Sequence, residues 1–359
     1  MSSGVFGYAS INARVRAMYS SLLSPQDMAR LGEAEDFPAL LAILKNTAYG
    51  PYLENLKDKE LTPRRALVQL KYRLADAYNS VVYMSPGHAR PLLIQLYRYF
   101  EVGNLKAILR SILTLPTLDE GASLWEQVNG VLFPMGALSV LPARAMVESG
   151  SVPAAVELLR GTRYEETMSF AMKRYSAEQN LFPLEVALDL NYWRQLWQEA
   201  KRLPGLDRDY AVRIVGSMLD MNNLMWVIRY KTYRQLSEEE LINYTLPFGY
   251  HVQDEDVRAI AAGADISSVV GRIYPQMTDV AALLENPHSG PPQLEARLKR
   301  HIAQQCFAAF TGNPFHIGIP IAFLILTNLE IENLTILIEA KSSNLSEEKF
   351  RPYMSNAAA

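Results

Sequence analysis

A helical phrase written three times along 359 residues constrains this fold more than any other feature of the sequence. Asp220 to Leu241 reads DMNNLMWVIRYKTYRQLSEEEL, and Glu330 to Phe350 reads EIENLTILIEAKSSNLSEEKF. A fainter copy, EVGNLKAILR, starts at Glu101. In each copy an acid stands three residues before an Asn-Leu pair: Glu101/Asn104/Leu105, Asp220/Asn223/Leu224 and Glu330/Asn333/Leu334. Aliphatic residues follow at matched positions, Ile108/Leu109, Val227/Ile228 and Leu337/Ile338. Leu at i with partners at i+3 and i+4 makes one face of a helix. A Ser or Thr then opens a further helix. Thr117 with Glu120 and Ser237 with Glu240 fit a capping box, in which each side chain satisfies an orphan amide of the helix start. Ser346 keeps the cap, but Lys349 stands where the reciprocal acid belongs.

A second phrase precedes each copy of the first. DFPALLAILKNTAY begins at Asp36, SVPAAVELLRGTRY at Ser151 and DISSVVGRIY at Asp265. The first two share Pro38/Pro153, Leu44/Leu159, Lys45/Arg160, Thr47/Thr162 and Tyr49/Tyr164; the third decays after Val270. Each opens on a good N-cap residue, and the first two place Pro in the first turn, where its missing amide does no harm. Two phrases recurring in the same order argue for triplication. The expected division is three helical units, residues 1–115, 116–236 and 237–359.

Elsewhere the apolar spacing is helical too. INARVRAMYSSLL puts Ile11, Val15, Met18 and Leu22 on one stripe, and Ser24-Pro25 with Asp27 starts the next helix. ALVQLKYRLADAYNSVV, RPLLIQLYRYF, LEVALDLNYWRQLWQEAKRL and QLEARLKRHIAQQCFAAF are further helical runs, separated by SPGH, LPG, TGNP and NPHSGPP. No series of alternating β-branched segments competes, so the chain reads as all-α, with about five to seven helices per unit. The apolar run Ile317–Leu326 is too short to span a bilayer and contains Gly318 and Pro320.

Charge and composition exclude several classes. A net charge of −3 provides no basic field for nucleic acid. The single cysteine, Cys306, cannot form an intramolecular disulfide and reads as a small core residue. No basic segment followed by an apolar one opens the chain, so no signal peptide is expected. No Gly-Lys-Ser/Thr phosphate loop, dinucleotide fingerprint or nucleophile-elbow serine appears. The five histidines, His88, His251, His288, His301 and His316, lack the i, i+4 spacing of a helical zinc site. No catalytic site, cofactor or nucleotide is implied.

The candidate contact residues are Arg14, Arg16, Glu101, Asn104, Asp220, Asn223, Glu330 and Asn333. Each Asn has two readings: it hydrogen-bonds a backbone turn or caps a helix, or it faces a central opening and touches a partner. Arg14 flanks the apolar stripe of the first helix and Arg16 points away from it. Both fit a solvated face or a partner contact.

The chain as a whole resembles the C subunit of the V-type and A-type rotary ATPases, called the d subunit in eukaryotes. The resemblance rests on Tyr8-x-x-x-Asn12-Ala13-Arg14-Val15-Arg16-Ala17, on Pro314-Phe315-x-Ile317, and on Glu330-x-x-Asn333-Leu334-x-x-Leu337-Ile338 with Lys341. Glu339 departs from it, standing where the other copies have Arg110 and Arg229. The resemblance implies three similar helical domains around a pseudo-threefold axis, shaped as a funnel. It also implies a non-catalytic adaptor at the cytoplasmic face of the membrane, between the central shaft and the membrane proteolipid rotor ring. The acid-x-x-Asn turns and the two arginines are then expected at or near partner surfaces. A helical scaffold unrelated to rotary motors is the alternative; its repeats would usually be far shorter.

Overall fold

The computed structural model describes residues 3–54, 61–114, 123–234 and 236–355. Among them the regular structure is helical throughout: nineteen α-helices, a few short turns of other helix types and no strand. The starts follow the expected chemistry. Ser24 and Asp27 form a capping box ahead of Pro25–Glu33, and Ser237 with Glu240 does the same for Glu238–Asn243. Asp36 and Ser151 accept amides of the turns they precede. Ser346 precedes Glu347–Phe350 but makes no side-chain cap bond, so the cap expected there is not formed; Lys349 in place of the reciprocal acid removes only the other half of the box. The Thr117–Glu120 box lies outside the described residues.

The first phrase lies in three helices of 25 residues each: Arg90–Thr114, Gly205–Arg229 and Gly318–Ser342. Its fixed aliphatic residues are all buried, Ile108, Leu109, Val227, Ile228, Leu337 and Ile338 among them. Full burial of such a side chain stabilises by about 1.5–3 kcal/mol, so these positions drive the packing.

Two compact units are formed, Met1–Arg90 with Trp197–Ala359, and Pro91–Leu196. The second runs across the boundary near residue 115 expected from the repeats. In the first unit, Gly290–Ala308 packs against both Gly205–Arg229 and Gly318–Ser342. Gly318–Ser342 also meets Ser3–Tyr19, Phe37–Lys45 and Pro63–Met84. Part of the core there joins Leu224, Val227 and Ile228 to Val257, Ile260, Val270, Tyr274 and Leu298. In the second unit Phe133 stacks on Phe100, ring centres 4.1 Å apart, with Tyr97 edge-on. Short helices follow one another there: Leu124–Asn129, Ala143–Glu148, Val152–Glu157 and Glu165–Glu178.

One expectation needs correction. The apolar run at Ile317–Leu326 is the opening of a longer helix. Gly318–Ser342 is the one helix among the described residues long and apolar enough to cross a membrane, with mean hydropathy 1.7. Of that apolar stretch, 78% is buried within the protein, the pattern of a core helix. Pro320 lies in its first turn, where no intrahelical amide is lost.

Candidate functional site

Glu101, Asp220 and Glu330 stand near the middle of their 25-residue helices, not in turns. The reason is that acid and Asn find partners on neighbouring segments rather than competing for their own helix backbone. In the first copy, the Asn104 amide donates to Phe133 O at 2.8 Å while Phe133 N donates to Asn104 Oδ1 at 2.7 Å. Glu101 accepts from Val140 N at 2.6 Å, from the Ser139 hydroxyl and from Arg98. In the second copy, Asn223 donates to Phe248 O at 2.9 Å and accepts from Leu246 N. Asp220 accepts three consecutive main-chain amides, Tyr250, His251 and Val252, at 2.7, 2.8 and 3.1 Å. In the third copy Asn333 accepts from Ser355 N at 2.9 Å, and Glu330 from Leu23 N at 2.6 Å. Each of the three asparagines thus accepts a main-chain amide through Oδ1, and the first two also donate to a phenylalanine carbonyl. All six side chains are buried, with Glu101, Asp220 and Asn223 at 0% exposure.

The tyrosine that closes the second phrase completes each cluster. Tyr164 donates to Glu101 and Tyr49 to Glu330, both at 2.7 Å. Tyr274 is buried near Asp220; burial first, and then that negative charge, raise its phenol pKa. In sequence order, the acid of copy one meets the tyrosine of copy two, and that of copy two faces the tyrosine of copy three. The acid of copy three returns to the tyrosine of copy one. Burial likewise pushes the Asp220 and Glu330 carboxyls above the ordinary range, against the hydrogen bonds that pull them down. The repeated Tyr49/Tyr164 was legible as a repeat, but nothing in its spacing assigned it to an acid more than 60 residues away.

Residues 8–12 and 314–317 meet at a second polar cluster. Asn12 donates to the Pro314 and His316 carbonyls, and Tyr8 donates to Asp207 at 2.6 Å. Asp207 also accepts Ile317 N at 2.8 Å and lies 2.9 Å from His88 Nε2. His88, in the turn before Arg90–Thr114, is thus an anchor of this cluster. His316 stacks on Tyr210 with ring centres 3.6 Å apart. Its Nδ1 accepts Gly318 N at 3.0 Å, which assigns its proton to Nε2. A Cβ on Gly318 would lie 2.8 Å from that same Nδ1, so glycine permits the approach.

Burial holds His316 neutral and lowers its pKa to about 4, with Arg213 and Arg16 adding to the effect and Asp207 opposing it. The unfolded chain takes up this proton near the ordinary histidine value of about 6.5, the folded chain only near 4. Stability is therefore expected to fall as pH drops through that window. The loss is on the order of 2 kcal/mol after allowance for solvent screening. Urea denaturation at pH 7 and pH 4.5 checks this. His316→Asn should flatten the difference between the two pH values; an equal difference in both proteins would contradict it.

Arg14 and Arg16 are exposed on Ser3–Tyr19. Arg16 donates to Phe310 O at 2.9 Å and lies over the Phe310 ring. Arg110 and Arg229 pair with Glu185 and Glu295, whereas Glu339 is exposed at the matching place. Cys306 is buried. Among the described residues no group of His, Cys, Asp and Glu is arranged to hold a metal ion. The chemistry of these clusters is that of fixing backbone.

Residues 11–353 match the family model described as ATP synthase (C/AC39) subunit. The C subunit of the A-type ATP synthase of Methanocaldococcus jannaschii is 26% identical over 348 residues, covering 96% of this chain and 85% of the relative. That of Methanothermobacter thermautotrophicus is 26% identical over 348 residues, 94% of this chain and 84% of its own length. That of Pyrococcus horikoshii is 22% identical over 357 residues, with 98% and 91% covered. With nearly its whole length matched by one model, the chain belongs to the C/AC39 family of ATP synthase subunits.

Proposed function

We propose that this protein is the non-catalytic adaptor of an A/V-type rotary ATPase, joining the central shaft to the proteolipid rotor ring at the cytoplasmic membrane face. Family membership across residues 11–353 carries the reading. The repeated clusters support it, because a part that transmits torque must hold its loops without relying on solvent-exposed contacts. Each buried acid-Asn pair fixes main-chain segments by several hydrogen bonds, and buried charge-assisted bonds are the strong kind.

We further propose that the protein has three like helical units set around a pseudo-threefold axis as a funnel. The boundaries near 115 and 236 mark the sequence repeats. The hydrogen bonds of Glu101 and Glu330 support a structural repeat that starts at each 25-residue helix and ends at the following tyrosine, so that one unit is completed by both chain ends. Glu101, Asn104, Asp220, Asn223, Glu330 and Asn333 then serve partner binding from inside, by fixing residues 133–140 and 246–252 and the segments at Leu23 and Ser355. Arg14 and Arg16 act at the surface.

Co-purification tests this. Tagged protein drawn from gently solubilised membranes is expected to bring down the rotor ring and the shaft proteins. Arg14→Ala should chiefly slow association and flatten its salt dependence, as truncation of an exposed rim charge does. Recovery of the protein free of both partners, from membranes where the complex is intact, would contradict the reading.

A further inference from the structure

The three clusters differ in one respect. In the first two copies a single continuous segment crosses the acid-Asn pair: residues 133–140 over Asn104 and Glu101, and 246–252 over Asn223 and Asp220. In the third, the described residues make no single continuous crossing. Ser355 reaches Asn333 from one end of the chain, and Leu23 reaches Glu330 from the other. Where the crossing segment would run there is a cavity of about 880 Å³. Glu330 and Asn333 line it, and Leu22, Leu23 and Met354 border it.

The donor side of Asn333 marks what is missing. Asn104 gives its amide N–H to Phe133 O and Asn223 gives its own to Phe248 O. Asn333 is 3% exposed and, among the described residues, makes hydrogen bonds only through Oδ1, to Ser355 N and the Ser355 hydroxyl. Its amide N–H is a donor beside an open cavity, without the carbonyl that its two counterparts hold. The walls are apolar and aromatic: Tyr19 stacked on Phe310, with Phe307, Leu326, Phe350 and Met354. The charge is mostly negative. Glu33 and Glu347 are exposed at the rim and Glu330 lies buried within, against one cation, Arg351, which is 3.2 Å from Glu347.

We propose that this cavity is a socket for an extended segment of another protein of the complex. That segment presents a main-chain carbonyl to Asn333 Nδ2, an aromatic or large aliphatic side chain to the apolar walls, and a lysine or arginine to Glu33 and Glu347. The chain's own crossing segments are the template: both take the Asn amide through a phenylalanine carbonyl. A strand-like peptide held by main-chain bonds, with side-chain pockets giving selectivity, is an established recognition mode. The proposal takes its partner from the adaptor reading but depends on the socket alone for its chemistry.

The test uses the full chain and rhodamine-labelled peptides of residues 131–140, VLFPMGALSV, with and without two added lysines. The lysine-bearing peptide is expected to bind saturably, at least tenfold tighter than the neutral one. Ala29, exposed on Pro25–Glu33 and lining the cavity, provides the block: Ala29→Trp should weaken binding at least tenfold while the circular dichroism spectrum is unchanged. Glu33→Gln with Glu347→Gln should erase the advantage of the lysines. No saturation at millimolar peptide, or binding unmoved by Ala29→Trp, overturns the proposal. Removal of Asn356–Ala359 raising affinity tenfold makes the chain's own tail the occupant and overturns it. Dimerisation that the peptide reverses makes a second copy the occupant, with the same result. Failed peptide binding by protein that still co-purifies with ring and shaft ends the socket and leaves the adaptor; the reverse pattern ends the adaptor.

Discussion

Asp220→Ala is expected to destabilise the protein by about 3–6 kcal/mol. The carboxylate is fully buried and takes the amides of Tyr250, His251 and Val252. Its removal leaves three main-chain donors without partners, each at about 1–3 kcal/mol, partly offset because a buried carboxylate no longer has to be kept ionised. Asp220→Asn keeps an acceptor oxygen and should lose roughly half as much. Gly249→Ala strikes the same place: its Cβ would lie 2.0 Å from Val252 O and 2.7 Å from Asp220 Oδ1. The loop must shift, at about 1–3 kcal/mol. Glu101→Ala should match Asp220→Ala, since it strands Arg98 as well as Val140 N and the Tyr164 hydroxyl. Breaking a buried ion pair by removing one partner costs about 3–5 kcal/mol. Urea denaturation of the purified full chain reads all four. A loss below about 1 kcal/mol for Asp220→Ala would show that the clusters do not hold the fold.

The sequence carried the helices and the core almost unaided. Ile108/Leu109, Val227/Ile228 and Leu337/Ile338 repeat at helical spacing because each faces the interior, and burial keeps such positions apolar in every copy. Caps at Ser24, Asp36, Ser151 and Ser237 were equally legible, because a cap is decided within four residues. The acid-Asn pairs were visible as a pattern but not as clusters. The segment that crosses them lies 29 to 39 residues away in the first copy, and Leu23 lies 307 residues from Glu330, distances over which no local periodicity operates. The same holds for Asp207. It shows no motif in the sequence, yet it gathers Tyr8, His88 and Ile317. The apolar run reads only from Ile317 to Leu326 because Thr327 and Asn328 interrupt it; the helix continues through them, and Gly318 and Pro320 in its first turn break nothing.

The largest functional effect should follow from removing this protein altogether. If it joins shaft to ring, the ATP-hydrolysing head retains its own sites without it, but rotation no longer reaches the membrane. Membrane vesicles from cells lacking the chain are therefore expected to hydrolyse ATP while generating no ion gradient. Purified wild-type protein added back should restore the gradient, and Asp220→Ala, with its loops released, should restore it poorly. The two activities must be read on the same vesicles, hydrolysis by phosphate release and transport by a gradient-sensitive dye, because only their ratio reports coupling. The adaptor account predicts that the ratio of ions moved to ATP hydrolysed falls to background without the chain and recovers with it. An unchanged ratio in its absence would contradict the account.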